Sequence, residues 1–166
     1  MKSTLRFLVT LAAAVSLAYA IDVQAGGSDL LGKQPPEIKA AGFINADTPP
    51  TLAALKGKVA VVEFWATWCP PCRKSIPDLI KLQTAKAKEG LVIVGLSNEE
   101  KEKVEEFAKK IGMTYIVGYG SESGNDYGAD TIPRAFVVGK DGMVAWTGNP
   151  LEKAFESAVE TALAAK

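Results

Sequence analysis

The sequence predicts an α/β layered domain, and three observations carry that prediction. Leu91-Val92-Ile93-Val94-Gly95-Leu96 is a continuous apolar run of strand length, which suits a parallel strand buried on both faces. Apolar residues recur at helical spacing before it (Ile76, Leu79, Ile80, Ala87) and after it (Val104, Phe107, Ala108, Ile111). A Lys140-Asp141-Gly142 turn joins Ala135-Phe136-Val137-Val138 to Met143-Val144-Ala145-Trp146 as a β-hairpin ahead of a last amphipathic helix. The order strand, helix, strand, helix, hairpin, helix is that of sheet and helices packed in layers around one core.

The chain has 166 residues, enough for one domain with a substantial core, and at 48% hydrophobic and 23% charged it has an ordinary globular composition. Nineteen basic residues balance nineteen acidic ones, so nothing draws it to nucleic acid. There is no histidine. That excludes every His-based catalytic triad and every His metal site, and leaves acid–base work to carboxylates, lysines, tyrosines, water or thiols.

Residues 1–20 carry a basic start (Lys2, Arg6), an apolar run from Phe7 to Leu17 and Ala18-Tyr19-Ala20, the pattern of a cleaved secretory signal peptide. The run is shorter than the ~20 residues of a spanning helix, which disfavours an uncleaved anchor. Nineteen basic residues less Lys2 and Arg6 leave seventeen against nineteen acids, so the exported protein carries a net −2. Export implies a compartment where disulfides persist, a bacterial periplasm. Residues 21–29 read as a flexible lead, and 30–166 as the folded domain. Within it, residues 30–57 predict two short strands joined by a turn and a helical turn near Leu52 to Leu55, together covering one edge of the sheet.

Val59 to Trp65 predicts a buried strand that delivers Cys69 to the start of a helix, which Pro77 should kink. Ser97-Asn98-Glu99-Glu100 supplies an N-cap for the helix of Val104 to Ile111, which ends at Gly112. Tyr115-Ile116-Val117 reads as a short strand, and residues 118–128 as a loop with one helical turn near Asp126. Asn149 reads as the cap of the final helix, with Pro150 at its first position and Leu151, Phe155, Ala158, Val159 and Ala162 facing the sheet.

The chemistry concentrates in Trp68-Cys69-Pro70-Pro71-Cys72, which holds both cysteines. The unpaired N–H groups and dipole of a helix N-terminus favour a thiolate, and a lowered thiol pKa makes the first cysteine of such a pair a nucleophile toward disulfides. Zinc would need two further ligands that the chain lacks as Cys or His. A purely structural disulfide across so short a loop would constrain the unfolded chain little. Redox chemistry is the reading these residues favour.

The string from Val61 to Lys74, the Ile132-Pro133 pair ahead of a strand, and the Asp-Gly hairpin after it occur in an order that resembles the thioredoxin superfamily, and within it exported TlpA-like thiol–disulfide oxidoreductases. The resemblance covers roughly residues 30–165. It implies a central mixed sheet with helices on both faces, an N-terminal β extension and a central insertion. It also implies that Cys69 is the exposed nucleophile and Cys72 the resolving thiol. Trp68 would shape the surface beside them with Pro70 and Pro71, and Pro133 would be a cis-proline that lets Ile132 pair with an extended substrate segment. No cofactor is expected beyond the redox-active Cys69–Cys72 disulfide. Glu63 stands where plain thioredoxins carry a buried acid, and burial would raise its pKa enough to take a proton from Cys72; a carboxylate idle on a polar strand face is the alternative. Pro70 and Pro71 remove N–H groups that could bond the Cys69 sulfur, which favours a reducing protein. Arg134, Phe136 and Trp146 read as surface or packing residues, and Ser121 and Ser123 match no phosphate motif.

The function this predicts is reduction of disulfides in exported partner proteins, with electrons from a membrane thiol donor that the family implies, and with the protein a monomer. Three alternatives stay open on sequence: a disulfide donor, a peroxiredoxin-type peroxidase, and a partner-binding or chaperone module with an incidental dithiol.

Overall fold

The computed structural model describes residues 30–166; the readings of residues 1–20 as a signal peptide and 21–29 as a lead lie outside the described residues. Among the described residues six strands form one sheet in the order β1-β4-β3-β2-β5-β6. They are β1 (Gly42–Ile44), β2 (Val59–Phe64), β3 (Leu91–Leu96), β4 (Ile116–Tyr119), β5 (Arg134–Val138) and β6 (Val144–Gly148). The helices are α1 (Leu52–Leu55), α2 (Pro70–Lys86), α3 (Lys101–Ile111), α4 (Ser123–Asp126) and α5 (Lys153–Ala164). The apolar run at β3 lies between β2 and β4, parallel to both, as its lack of alternation predicts.

Alternation along β2 divides the interior into two cores. Val59, Val61 and Trp65 face α2, α3 and α5, where Ile76, Leu79, Val104, Phe155 and Val159 are buried against them. Ala60, Val62 and Phe64 face the other way, against Ile38, Leu55, Tyr127 and Phe136. The long helices thus cover one face. The short α1 and α4, with the segment before β1, cover the other. Phe136 packs edge-on to Phe64 and Tyr127, and Trp146 packs on Phe155, so both are packing residues as expected.

Several boundaries differ from the sequence reading. Of the two strands expected in residues 30–57, only β1 forms. Pro35 and Pro36 have no N–H to give a ladder, and that stretch is held instead by the Tyr127 hydroxyl donating to Pro36 O at 2.7 Å. The Ser121 and Ser123 hydroxyls donate to Lys39 O in the same way, which is their structural task. Leu31 makes an isolated parallel bridge to Val144, so residues 30–57 reach both edges of the sheet rather than one. β4 extends through Gly118 and Tyr119 because Phe43 and Gly42 pair with them. α2 runs as one helix through Pro77.

Two expected caps shift. α3 begins at Lys101 with Glu100 as N-cap and no side-chain cap bond; the Ser97 hydroxyl accepts from Glu99 N instead. Asn149 caps a turn, its Oδ1 accepting from Leu151 N, and α5 starts only at Lys153. Leu151 is therefore exposed and does not face the sheet. The hairpin turn forms as predicted, with Gly142 at a φ of 86° that suits glycine.

Candidate active site

Cys69 is the N-cap of α2, and its Sγ accepts a hydrogen bond from Cys72 N at 3.2 Å. The sulfurs of Cys69 and Cys72 are joined in a disulfide. Pro70 and Pro71 fill the first two helical positions. Having no N–H, they leave Cys72 N as the donor that reaches Cys69 Sγ among the described residues. Both prolines are exposed, and Trp68 stands 64% exposed beside them.

One expectation needs correction here. Cys69 is 2% exposed, not an open surface residue. With the disulfide closed, Cys69 joins Cys72 in the core cluster beneath α2, together with Trp65, Ala66 and Ile76.

The Ile132-Pro133 peptide bond is cis. In the antiparallel pairing of β2 and β5, Phe64 is opposite Arg134. One step further, Pro133 stands where the chain leaves β2 toward Cys69. Pro133 is buried and Ile132 half-buried. Ile132 lines a groove of about 470 Å³ with Trp65, Trp68, Asn98, Glu122 and Asn125. Arg134 faces away from it, its Nε donating to Thr147 Oγ1 and its guanidinium lying over Phe136.

Glu63 sits in the middle strand of this region, fully buried. It lies between Val61 and Trp65 in the β2 alternation, on the face that packs against α2 and Cys72. Neither carboxyl oxygen has a protein hydrogen-bond partner. Burial alone pushes its pKa up to about 8, because a charge there is cut off from water. The alternative of a solvated polar strand face is thereby excluded.

Sequence reasoning missed a second carboxylate. Glu99, in the loop after β3, accepts from Thr67 N at Oε2 (2.6 Å) and from Thr67 Oγ1 at Oε1 (2.9 Å), and Lys103 Nζ lies 2.5 Å from the same Oε1. Partial burial opposes its charge, but the bonds from Lys103 and Thr67 outweigh that and hold its carboxyl below the usual range. Glu99 thus pins the turn that carries Trp68 and Cys69. In sequence it was one acid among several at a helix start, and nothing local links it to a threonine in another loop. We expect Glu99→Ala to cost about 2 kcal/mol by urea denaturation, the range for charge-assisted hydrogen bonds. Glu99→Gln, which keeps one acceptor, should lose less, and an alanine variant as stable as the native chain would contradict the clamp.

Among the described residues no group of three or more His, Cys, Asp or Glu could hold a metal ion.

The family model for redoxins matches residues 31–163. The thiol-disulfide oxidoreductase ResA of Geobacillus thermodenitrificans is 32% identical over 96 residues, which is 56% of this chain and 55% of ResA. The thiol:disulfide interchange protein HelX of Rhodobacter capsulatus is 32% identical over 128 residues, covering 74% of this chain and 70% of HelX. A crystal structure of a thiol:disulfide interchange protein of the thioredoxin family from Chlorobium tepidum superposes with a TM-score of 0.67 at 34% identity, over 78% of this chain and 96% of that one. The fold is thus thioredoxin-like. Against ResA the chain spans about half of the relative's length.

Proposed function

The chain belongs to the redoxin family, and on that premise we propose that it is an exported, periplasmic thiol–disulfide oxidoreductase that reduces disulfides in partner proteins through Cys69 and Cys72. The observation that carries this reading is the Cys69–Cys72 disulfide at the start of α2, with Trp68 and Ile132 lining one groove beside it and the buried carboxyl of Glu63 on the β2 face that packs against α2.

In the reduced protein the Cys69 thiolate, favoured by the N-terminus of α2, attacks one sulfur of the substrate disulfide. That S–S bond breaks, a Cys69–substrate disulfide forms, and the departing substrate thiolate takes a proton from water. Glu63, as carboxylate, then accepts the Cys72 proton. The Cys72 thiolate attacks Cys69 Sγ and closes the internal disulfide; the Cys69–substrate S–S bond breaks, and the second substrate sulfur leaves as a thiolate that takes a proton from water. Two electrons have passed from the dithiol to the substrate, and Glu63 returns its proton to solvent. A membrane thiol donor restores the dithiol. The groove between Trp68 and Ile132 receives an extended segment of the partner, an exported protein such as an apocytochrome c before haem attachment. The protein acts as a monomer and needs no cofactor beyond its own disulfide.

The direction of electron flow follows from the donors around Cys69. With Pro70 and Pro71 contributing none, its thiolate is less stabilised than in a strong oxidase, which favours the reductase. Equilibration of the Cys69–Cys72 couple against dithiothreitol buffers should give a potential near −270 mV or lower. A value near −120 mV would make the protein a disulfide donor instead.

A further inference from the structure

Among the described residues, the buried side-chain atoms without a hydrogen-bond partner in the protein are Glu63 Oε1 and Oε2, Trp65 Nε1 and Tyr115 Oη. They belong to three residues that meet at one place. A methyl carbon built on Gly95 would lie 3.0 Å from Tyr115 Cε2, 3.1 Å from Trp65 Nε1 and 3.3 Å from Glu63 Oε2. Gly95 is the direct partner of Glu63 in β3, and Ala135 is its partner in β5. On both neighbouring strands the residue beside the carboxyl is therefore small.

The aromatic members are fixed from their own backbones. Tyr115, between α3 and β4, has its carbonyl held by Asn45 Nδ2 at 2.9 Å. The Trp65 backbone N–H donates to Leu96 O, and the Trp65 ring packs on Phe107 with centroids 5.6 Å apart. The polar tips cannot easily turn elsewhere, and isolated buried polar groups are costly enough that natural interiors rarely leave them so. Where such groups surround a space of about one water's volume, two to four of them together bind an internal water.

The chemistry of the three is complementary. An indole N–H only donates. Burial, and next the charge of Glu63, hold the Tyr115 phenol's pKa well above the ordinary value, so the phenol keeps its proton and can donate as well. Donors around a carboxylate favour its ionised form.

We propose that Trp65 and Tyr115 are positioning residues for Glu63, sharing with it an internally bound water whose hydrogen bonds favour the carboxylate. They thereby set the pH at which Glu63 can receive the Cys72 proton. The proposal rests on the base role of Glu63 given above. Other groups near the carboxyl do not compete. From α2 come Cys69 and Cys72, joined to each other, and Ser75, whose hydroxyl donates to Cys72 O. Arg134 of β5 is on the opposite face over Phe136. Glu99 is bound to Thr67 and Lys103, and the charged residues of α3 and α5 are exposed.

The test uses the oxidised protein, in which no thiol titrates. Carbon-13 NMR of the glutamate carboxyls should show the Glu63 midpoint rising by about half a pH unit or more in Tyr115→Phe, a roughly threefold tighter hold on the proton. In the unsubstituted protein the Trp65 indole proton should show a cross-relaxation contact to water. An unmoved midpoint in a natively folded Tyr115→Phe, or no water contact at the Trp65 indole, overturns the proposal. The indole measurement needs no substitution, so it decides the matter even where the variant misfolds. If both results are as expected but the protein reduces no disulfide, the hydration site stands and the proposed function fails.

Discussion

Replacing Glu63 by glutamine is expected to make the protein more stable at pH 9 than the unsubstituted chain, by up to about 5 kcal/mol, while leaving the difference near its minimum at pH 4. The carboxyl has a pKa of 4.5 in the open chain and about 8 when folded. Between these values the folded state binds a proton that the unfolded state has released. The stability associated with the neutral carboxyl is thus fully present below pH 4.5 and is lost progressively as pH rises through 8. Each unit of separation corresponds to ~1.4 kcal/mol, which sets the upper figure. Glutamine has no charge to bury and removes this pH dependence. Urea denaturation of both proteins from pH 4 to 9 measures it, and a difference that stays constant over that range would mean that Glu63 ionises normally. The same variant should slow resolution of the mixed disulfide on the order of 10²-fold in rapid-quench experiments, the low end for loss of a general base. Stability and turnover then move in opposite directions, which is the signature of a charge kept buried for chemistry.

The two cysteines should separate the reaction into halves. Cys69→Ser is expected to lower disulfide reduction roughly a thousandfold or more, as removal of a nucleophile does. Cys72→Ser retains Cys69 at the start of α2 and so retains the attack on a substrate disulfide. What it lacks is the thiol that expels the partner. It should therefore accumulate a covalent adduct with substrate, visible on a non-reducing gel and released by dithiothreitol. The contrast depends on where the two residues lie: Cys69 is the N-cap, Cys72 the third residue of the helix, and Cys72 is fully buried behind its partner. Adduct formation through Cys72 in a Cys69→Ser protein would reverse the assignment. If neither variant loses activity, the dithiol is incidental to the protein's work.

Most of the architecture was legible in the sequence because local patterns encode it directly. The unbroken apolar run at residues 91–96 reads most simply as a strand covered on both sides, and it is one. The Asp141-Gly142 turn and the spacing of Val104 and Ala108 likewise state their structure within a few residues. Where the sequence reading slipped, tertiary pairing overrode a local signal. Gly118 and Tyr119 look like loop, yet they join β4 because β1 lies alongside them. Asn149 is a different case: its Oδ1 accepts from Leu151 N two residues on, and this local turn precedes the start of α5.

By itself the sequence determined the layered α/β class, the placement of Cys69 at a helix start and the absence of any histidine chemistry, since each is a property of neighbouring residues or of composition. Only the tertiary structure decided that Glu63 is wholly buried, that Trp65 and Tyr115 meet Glu63 at Gly95, and that Glu99 clamps Thr67. Strand alternation tells which face a residue occupies. How far that face is from water, and which groups from distant segments share it, depends on packing contacts between residues 32 or more positions apart, and no local pattern records them.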